Sequence, residues 1–206
     1  MSKNLLIVFV KNPELGKCKT RLAATIGDEK ALTFYKNMLE HTRSIVDKSA
    51  ADKHICYSAF IDHDDLWPNN ETYSKQLQVA RDLGDRMLHA IEHGFKAGYE
   101  KVCIIGSDCY DLTSAILEEA FNALARNQAV IGPSTDGGYY LLGMTHPMPE
   151  LFKDKAWSTN SVTADTEADL KRLGKPYQKL RALTDIDNEA DLRTLPEKVQ
   201  RALLAN

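Results

Sequence analysis

Four short stretches of this chain hold the residue types that handle phosphates and hard cations. The first is "KNPELGKCKTRL" (11–22), which sets Lys11, Lys17, Lys19 and Arg21 against one acid, Glu14. Ammonium groups and a guanidinium balance phosphate charge, and arginine can hold two phosphate oxygens at once. Thr20 adds a hydroxyl, and Gly16 lets the backbone turn tightly. A Walker A loop needs G-x-x-x-x-G-K-[ST]; here Lys11 stands where the first glycine belongs and Cys18 follows Gly16-Lys17, so the stretch is not a P-loop. The plainer alternative is a solvated lysine-rich loop.

The other three stretches are acidic. In "IGSDCYDL" Asp108 stands two residues past an apolar run, where a carboxylate can hold Mg²⁺ or Mn²⁺ together with substrate phosphates. Asp111 reads instead as a cap for the helix that follows. In "GPSTDGGYYLLG" Asp136 precedes Gly137 and Gly138. That is either a tight hairpin or a place where backbone approaches a ligand with Asp136 turned inward. In "DIDNEADL" Asp185 and Asp187 point the same way if the backbone is extended, although Asp187 is equally suited to capping the next helix. Trp157 and Ser158 of "WST" sit before a helix, where the indole can cover a base or sugar or fill the core. No H-x-x-x-H or H-E-x-x-H occurs, which argues against a zinc hydrolase, and Ser134 and Ser158 lack the G-x-S-x-G elbow. "DHDD" (62–65) reads as a solvated loop.

These residues need a scaffold. The 206 residues suffice for one domain, 1–206, with a sizeable core. The net charge of −3 argues against a nucleic-acid binder, so a local basic loop points to a small anionic ligand. The four cysteines form no C-x-x-C pair, and Cys56 and Cys103 sit in apolar runs, as expected of core thiols in a reducing cytoplasm. No apolar run approaches the roughly 18 residues of a membrane span. Apolar runs at 5–10, 54–61, 101–106, 129–133 and 139–144 predict strands, with 176–180 as a last short one. Helical spacing is read over 28–48 with Asp28 as N-cap, 82–99 stopped at Gly98, 113–127 capped by Thr113 or Ser114, 161–174 closed by Gly174, and 188–205 in two pieces with Pro196 at a first helical position. Residues 62–74 read as loop. The alternation predicts an α/β fold with helices on both faces of a mainly parallel sheet, and the short link between 133 and 139 predicts an antiparallel portion. In such sheets ligands bind beyond the carboxyl ends of the strands.

Taken together, "FVKNPELGKCKTRL", "DLGDRM" with "IGSDCYDL", "GPSTDGGYYLLG", and "WST" with "TDIDNEADL" resemble the small glycosyltransferase-A-like family of nucleotide-diphospho-sugar transferases. That family includes enzymes assigned to arsenosugar biosynthesis. The first and last blocks are also similar to those of sugar-nucleotide nucleotidyltransferases. The resemblance implies a three-layer Rossmann-like fold that binds a nucleoside diphosphate at its carboxyl edge. Lys11, Gly16, Lys17, Lys19 and Arg21 then match the phosphate loop, and Asp108 the metal-holding acid. Asp136, Gly137 and Gly138 match the acceptor-side turn, and Asp187 a second metal carboxylate. Cys109-Tyr110 departs from the family's small residue and proline after the metal acid, and a strict D-x-D is absent.

Three activities are consistent with these residues. One is metal-assisted glycosyl transfer from a nucleotide sugar to a small acceptor, with Asp136 orienting or deprotonating the acceptor hydroxyl. Another is nucleotidyl transfer from a nucleoside triphosphate to a small phosphate with release of pyrophosphate. The last is a nucleotide-binding module without turnover. Nucleobase, sugar, acceptor and oligomeric state are not specified by any pattern.

Overall fold

In a computed structural model the chain is described over residues 3–79 and 81–205. Seven strands form one sheet: β1 (Asn4–Val10), β2 (Asp52–Tyr57), β3 (Tyr73–Leu77), β4 (Lys101–Ile105), β5 (Ala129–Pro133), β6 (Tyr139–Met144) and β7 (Tyr177–Lys179). Their spatial order is β3-β2-β1-β4-β6-β5-β7. All neighbours are parallel except β4/β6 and β5/β6, the antiparallel portion that the short 133–139 link requires. The helices are α1 (Thr20–Ile26), α2 (Asp28–Val46), α3 (Leu83–Lys96), α4 (Ser114–Ala123), α5 (Val162–Arg172), α6 (Glu189–Leu192) and α7 (Glu197–Leu204). The architecture is the glycosyltransferase-A-like α/β fold.

Strand period two divides the core. Leu6, Val8 and Val10 of β1 pack with Tyr35 and Leu39 of α2 and Leu117 and Phe121 of α4 on one face. Leu5 and Ile7 pack with Met87 and Ile91 of α3 and Leu170 of α5 on the other. β1 is central and buried on both sides, which is why its sequence is continuously apolar. The chain builds β2 and β3 outward from one side of β1, then returns to lay β4 on its other side. That reversal opens a crevice between the carboxyl ends of β1 and β4.

Several sequence-level boundaries change. Residues 20–26, which begin inside the stretch read as a basic loop and run past its end, form α1, which is short and has no side-chain cap. The stretch read as loop runs into β3, an edge strand held by pairing with β2 rather than by apolar residues of its own. β2 spans 52–57 rather than 54–61. Gly27, not Asp28, caps α2, so Asp28 lies in the first turn, where its charge suits the dipole. Pro196 is the N-cap of α7 rather than its first helical residue. Thr113 caps α4 as expected, accepting from the Ile116 N–H. All four cysteines are free and buried. Among the described residues no helix is long and apolar enough to cross a membrane.

One buried histidine makes stability pH-dependent. His54 of β2 is 8% exposed, and its Nδ1 accepts from Gln76 Nε2 at 3.1 Å. Burial, then the nearby His93, push its pKa down from 6.5 to about 4. The folded state therefore keeps His54 neutral while the unfolded chain takes up a proton below pH 6.5. Stability is complete above that pH and falls as pH drops toward 4, by about 3 kcal/mol in all. Urea unfolding of the wild type and His54→Asn between pH 7 and 4.5 should show a steeper decline in the wild type. Parallel declines would refute the assignment.

Candidate active site

Three loops at the carboxyl edge converge on the crevice. The loop after β1 begins with Lys11 and is fastened by the buried Asn12. Its Oδ1 accepts from the Ala59 and Phe60 N–H groups at 3.1 and 3.4 Å, and its Nδ2 donates to the Phe60 carbonyl at 2.9 Å. Asn12, which no sequence motif above singles out, thereby holds the loop after β1 to the chain beyond β2. The loop after β4 carries Ser107 and Asp108. The stretch 183–187 forms a strap that crosses the edge and brings the late aspartates in. The Thr135 N–H donates to the Leu183 carbonyl, the Leu183 N–H to the Pro133 carbonyl, and the Ile186 N–H to the Asp108 carbonyl at 2.9 Å. Asp185 bridges antiparallel to Cys109. Asn188, not Asp187, caps α6, in a capping box with Asp191. Asp187 is therefore free to face Asp108.

Lys19 sits between those acids. Its Nζ lies 2.7 Å from Asp108 Oδ1, 3.0 Å from Asp187 Oδ1 and 2.6 Å from the Ile186 carbonyl. An ammonium has three donors, and here all three are used. Burial alone would lower the Lys19 pKa, yet the two carboxylates outweigh it and hold it above 10.5. Its side chain is 5% exposed, and its backbone adopts the left-handed conformation (φ 48°) that turns it inward. The resemblance matches Lys19 to the phosphate loop; in this geometry its ammonium lines the cleft and is held by the two acids and the Ile186 carbonyl. Arg21 is open to solvent, with one guanidinium nitrogen 3.8 Å from Asp187 Oδ2.

The crevice is a cleft of about 570 Å³. Of the residues singled out in the sequence, Lys11, Lys19, Thr20, Arg21, Asp108, Asp136, Gly138, Trp157, Ser158 and Asp187 line it. Gly16, Lys17 and Gly137 do not. Gly16 takes a positive φ of 73° in the turn, and Lys17 pairs with Glu14 at 2.8 Å on the surface. Gly137 lies where a side chain has no room, because a Cβ there would come within 2.1 Å of the Asn160 carbonyl oxygen. Trp157 lines the cleft and also packs inward: its indole lies on the Cα of Gly84, where a Cβ would stand 2.3 Å from the ring, and it stacks near Phe152. The Lys155–Asp169 ion pair holds that loop to α5. Asp136 Oδ1 accepts from the Gly138 N–H at 2.9 Å and the side chain stays exposed at the cleft.

Asp185, which an extended backbone turns the same way as Asp187, lines the cleft with it. Burial, then the charges of Asp108, Asp136 and Asp187, push its carboxyl up to about 7. Burial drives the Cys109 thiol up to about 12, which removes it as a nucleophile at neutral pH. Tyr110 turns away from the cleft to stack on His41, with ring centroids 4.3 Å apart. Asp65 of "DHDD" is consumed by Lys75 at 2.7 Å and by Tyr57. On the floor of the cleft, Gln78 Nε2 donates to the Cys56 carbonyl at 2.9 Å and the Val10 carbonyl at 3.3 Å. The amide is thereby fixed, with its carbonyl oxygen left as an acceptor.

A family model described as "Uncharacterized protein conserved in bacteria (DUF2064)" matches residues 41–159. The chain belongs to the DUF2064 family. The match takes in Asp108, the Asp136 turn and Trp157 and leaves the 11–21 loop and Asp187 outside. Across nearly the whole DUF2064 chain, a crystal structure from Desulfovibrio desulfuricans G20, provisionally named a nucleotide-diphospho-sugar transferase, aligns at a TM-score of 0.90. Identity is 32%, over 99% of this chain and 94% of that one. The inositol-1-phosphate CTP transferase of T. maritima aligns at 0.59 and 13% identity, over 97% and 94% of the two chains. Rv0371C of Mycobacterium tuberculosis H37Rv, in a manganese complex, aligns at 0.50 and 11% identity, over 94% and 98%. At such identities the last two show the shared fold. No curated protein matches.

Proposed function

We propose that this DUF2064 protein is a glycosyltransferase that takes a nucleotide-diphospho-sugar and holds its diphosphate between Lys11 and Arg21 on one side and the Asp108–Asp187 pair on the other. The observation that carries the reading is the convergence of these groups on one cleft at the strand-order reversal. Its volume of about 570 Å³ falls in the usual range for small-molecule sites. The 32%-identical relative is named for the same class of donor.

The acids suit a divalent cation in part. Asp108 and Asp187 each have one oxygen on Lys19, and both side chains are 39% exposed at the cleft. Among the described residues no three His, Cys, Asp or Glu side chains gather as a complete site. Two carboxylates completed by substrate phosphates is the pattern Mg²⁺ and Mn²⁺ accept, and a fold neighbour is complexed with manganese. Bound there, such an ion would neutralise charge on the departing diphosphate.

The protein's own side chains supply the rest. As the bond from the anomeric carbon to the diphosphate oxygen breaks, negative charge collects on the diphosphate, where Lys11 and Arg21 stabilise it. Lys19 keeps Asp108 and Asp187 aligned. Asp136 orients the acceptor hydroxyl and accepts its proton. The Gln78 carbonyl oxygen offers an acceptor to an N–H on the nucleobase.

The likeness to a CTP transferase supports one alternative, nucleotidyl transfer from a triphosphate with pyrophosphate as leaving group. Calorimetry with UDP, GDP and CDP, with and without Mn²⁺, tests the shared premise. One diphosphate should bind, and more tightly with the ion. Binding of none would sink both readings. Sugar-nucleotide turnover against pyrophosphate release from triphosphates then separates them.

A further inference from the structure

Tyr35 of α2 lies beneath the point where β1 and β4 part. Its hydroxyl accepts from the Lys11 backbone N–H at 2.8 Å, reaches the Lys11 carbonyl at 3.1 Å and lies 3.3 Å from Ser107 Oγ. One phenolic oxygen thus touches both loops that flank the cleft, and the ring around it is fully buried. Ser107 lines the cleft, is 4% exposed, and has Tyr35 as the partner of its hydroxyl.

The protons restrict what this cluster can do. A phenol has one proton to donate and two lone pairs. With that proton on the Lys11 carbonyl, Ser107 must aim its own at Tyr35 and shows lone pairs to the cleft. With the phenol proton turned to Ser107, the serine proton is free for an acceptor in the cleft. Burial, with Asp108 nearby, keeps the phenol well above its ordinary pKa, so the change is a rotation of O–H rather than an ionisation.

We propose that Tyr35 is a positioning residue for the bound phosphate, an inference that rests on the nucleotide reading above. Its hydroxyl sets the gap between Lys11 and the Ser107–Asp108 loop. By turning its proton to Ser107, it releases the serine hydroxyl to donate to a phosphate oxygen.

The test is calorimetry of Tyr35→Phe, Ser107→Ala and the double variant with whichever of UDP, GDP and CDP the wild type binds most tightly. Tyr35→Phe keeps the buried ring, so α2 retains its packing. Each single change should weaken binding about tenfold. The double should stay within about threefold of the weaker single, because both break one bridge. Ser107→Thr, which keeps the hydroxyl, should recover part of the affinity that Ser107→Ala loses, and melting temperatures of the single variants should fall by no more than a few degrees. Unchanged affinity in either single variant, or losses that multiply in the double, would overturn the role. A wild type that binds none of the three removes the nucleotide reading itself, and this inference with it. A binding wild type with unaffected variants removes the inference alone.

Discussion

Asp108→Ala will lower turnover of a nucleotide sugar by at least about a thousandfold, the scale of removing a main stabiliser of developing charge. Asp108 lines the cleft, pairs with Lys19 at 2.7 Å and leaves 39% of its side chain exposed. Its loss removes a carboxylate from the candidate cation site and one of three acceptors from Lys19. The fold should tolerate the change. Lys19 keeps Asp187 at 3.0 Å and the Ile186 carbonyl at 2.6 Å, and the backbone bond from Ile186 to residue 108 needs no side chain. Circular dichroism should therefore remain native while activity disappears. Asp111→Ala is the control, since Asp111 is exposed and outside the cleft lining. Equal losses in both variants, or unchanged turnover in Asp108→Ala, would remove the assigned role.

Among glycines of the described residues, Gly137→Ala should be the most damaging substitution. Gly137 has φ 92°, which an alanine adopts only under strain. The added Cβ would meet the Asn160 carbonyl oxygen at 2.1 Å and its Cα at 2.4 Å, backbone atoms that have no rotamer to escape into. The Thr163 N–H donates to the Gly137 carbonyl at 2.9 Å, and the Thr163 hydroxyl to that of Gly138, so the turn and the start of α5 move together or separate. We expect a loss of about 3–4 kcal/mol and a melting temperature lower by about 10 °C. Displacement of Asp136 and Trp157 would weaken acceptor use as well. Gly138→Ala should be milder, because its Cβ would meet only the Asp136 carboxylate oxygen, at 3.3 Å. If the two alanines melt alike, close backbone approach is not the reason for glycine at 137.

Elements with strong local signals were legible in the sequence. β1 is continuously apolar because it is buried on both faces, and α4 begins where Thr113 can cap it. β3 was missed because "YSKQL" has no apolar pattern and owes its conformation to hydrogen bonds from β2. α1 was missed because seven residues without a capping side chain carry too little periodicity to read. The site divides in the same way. Lys11, Asp108 and Asp136 could be placed at the cleft because they stand near predicted strand ends, and Arg21 because it belongs to the basic stretch after β1. The roles of Lys17 and Lys19 could not, since their residue type and neighbourhood in the chain are alike.

What the sequence determined by itself was the α/β alternation, the carboxyl edge as the place for a cleft, and a set of cations and acids near it. Those follow from hydrophobic period and turn residues, which act over a few positions. Tertiary structure alone decided that Lys19 faces Asp108 and Asp187 while Lys17 faces solvent, and that Gly137 serves a close contact. Each depends on the strap at 183–187 crossing to the loop after β4, or on α5 meeting the turn after β5. Partners so far apart along the chain meet only once the sheet has assembled, and a charge's partner is set by where the backbone carries it.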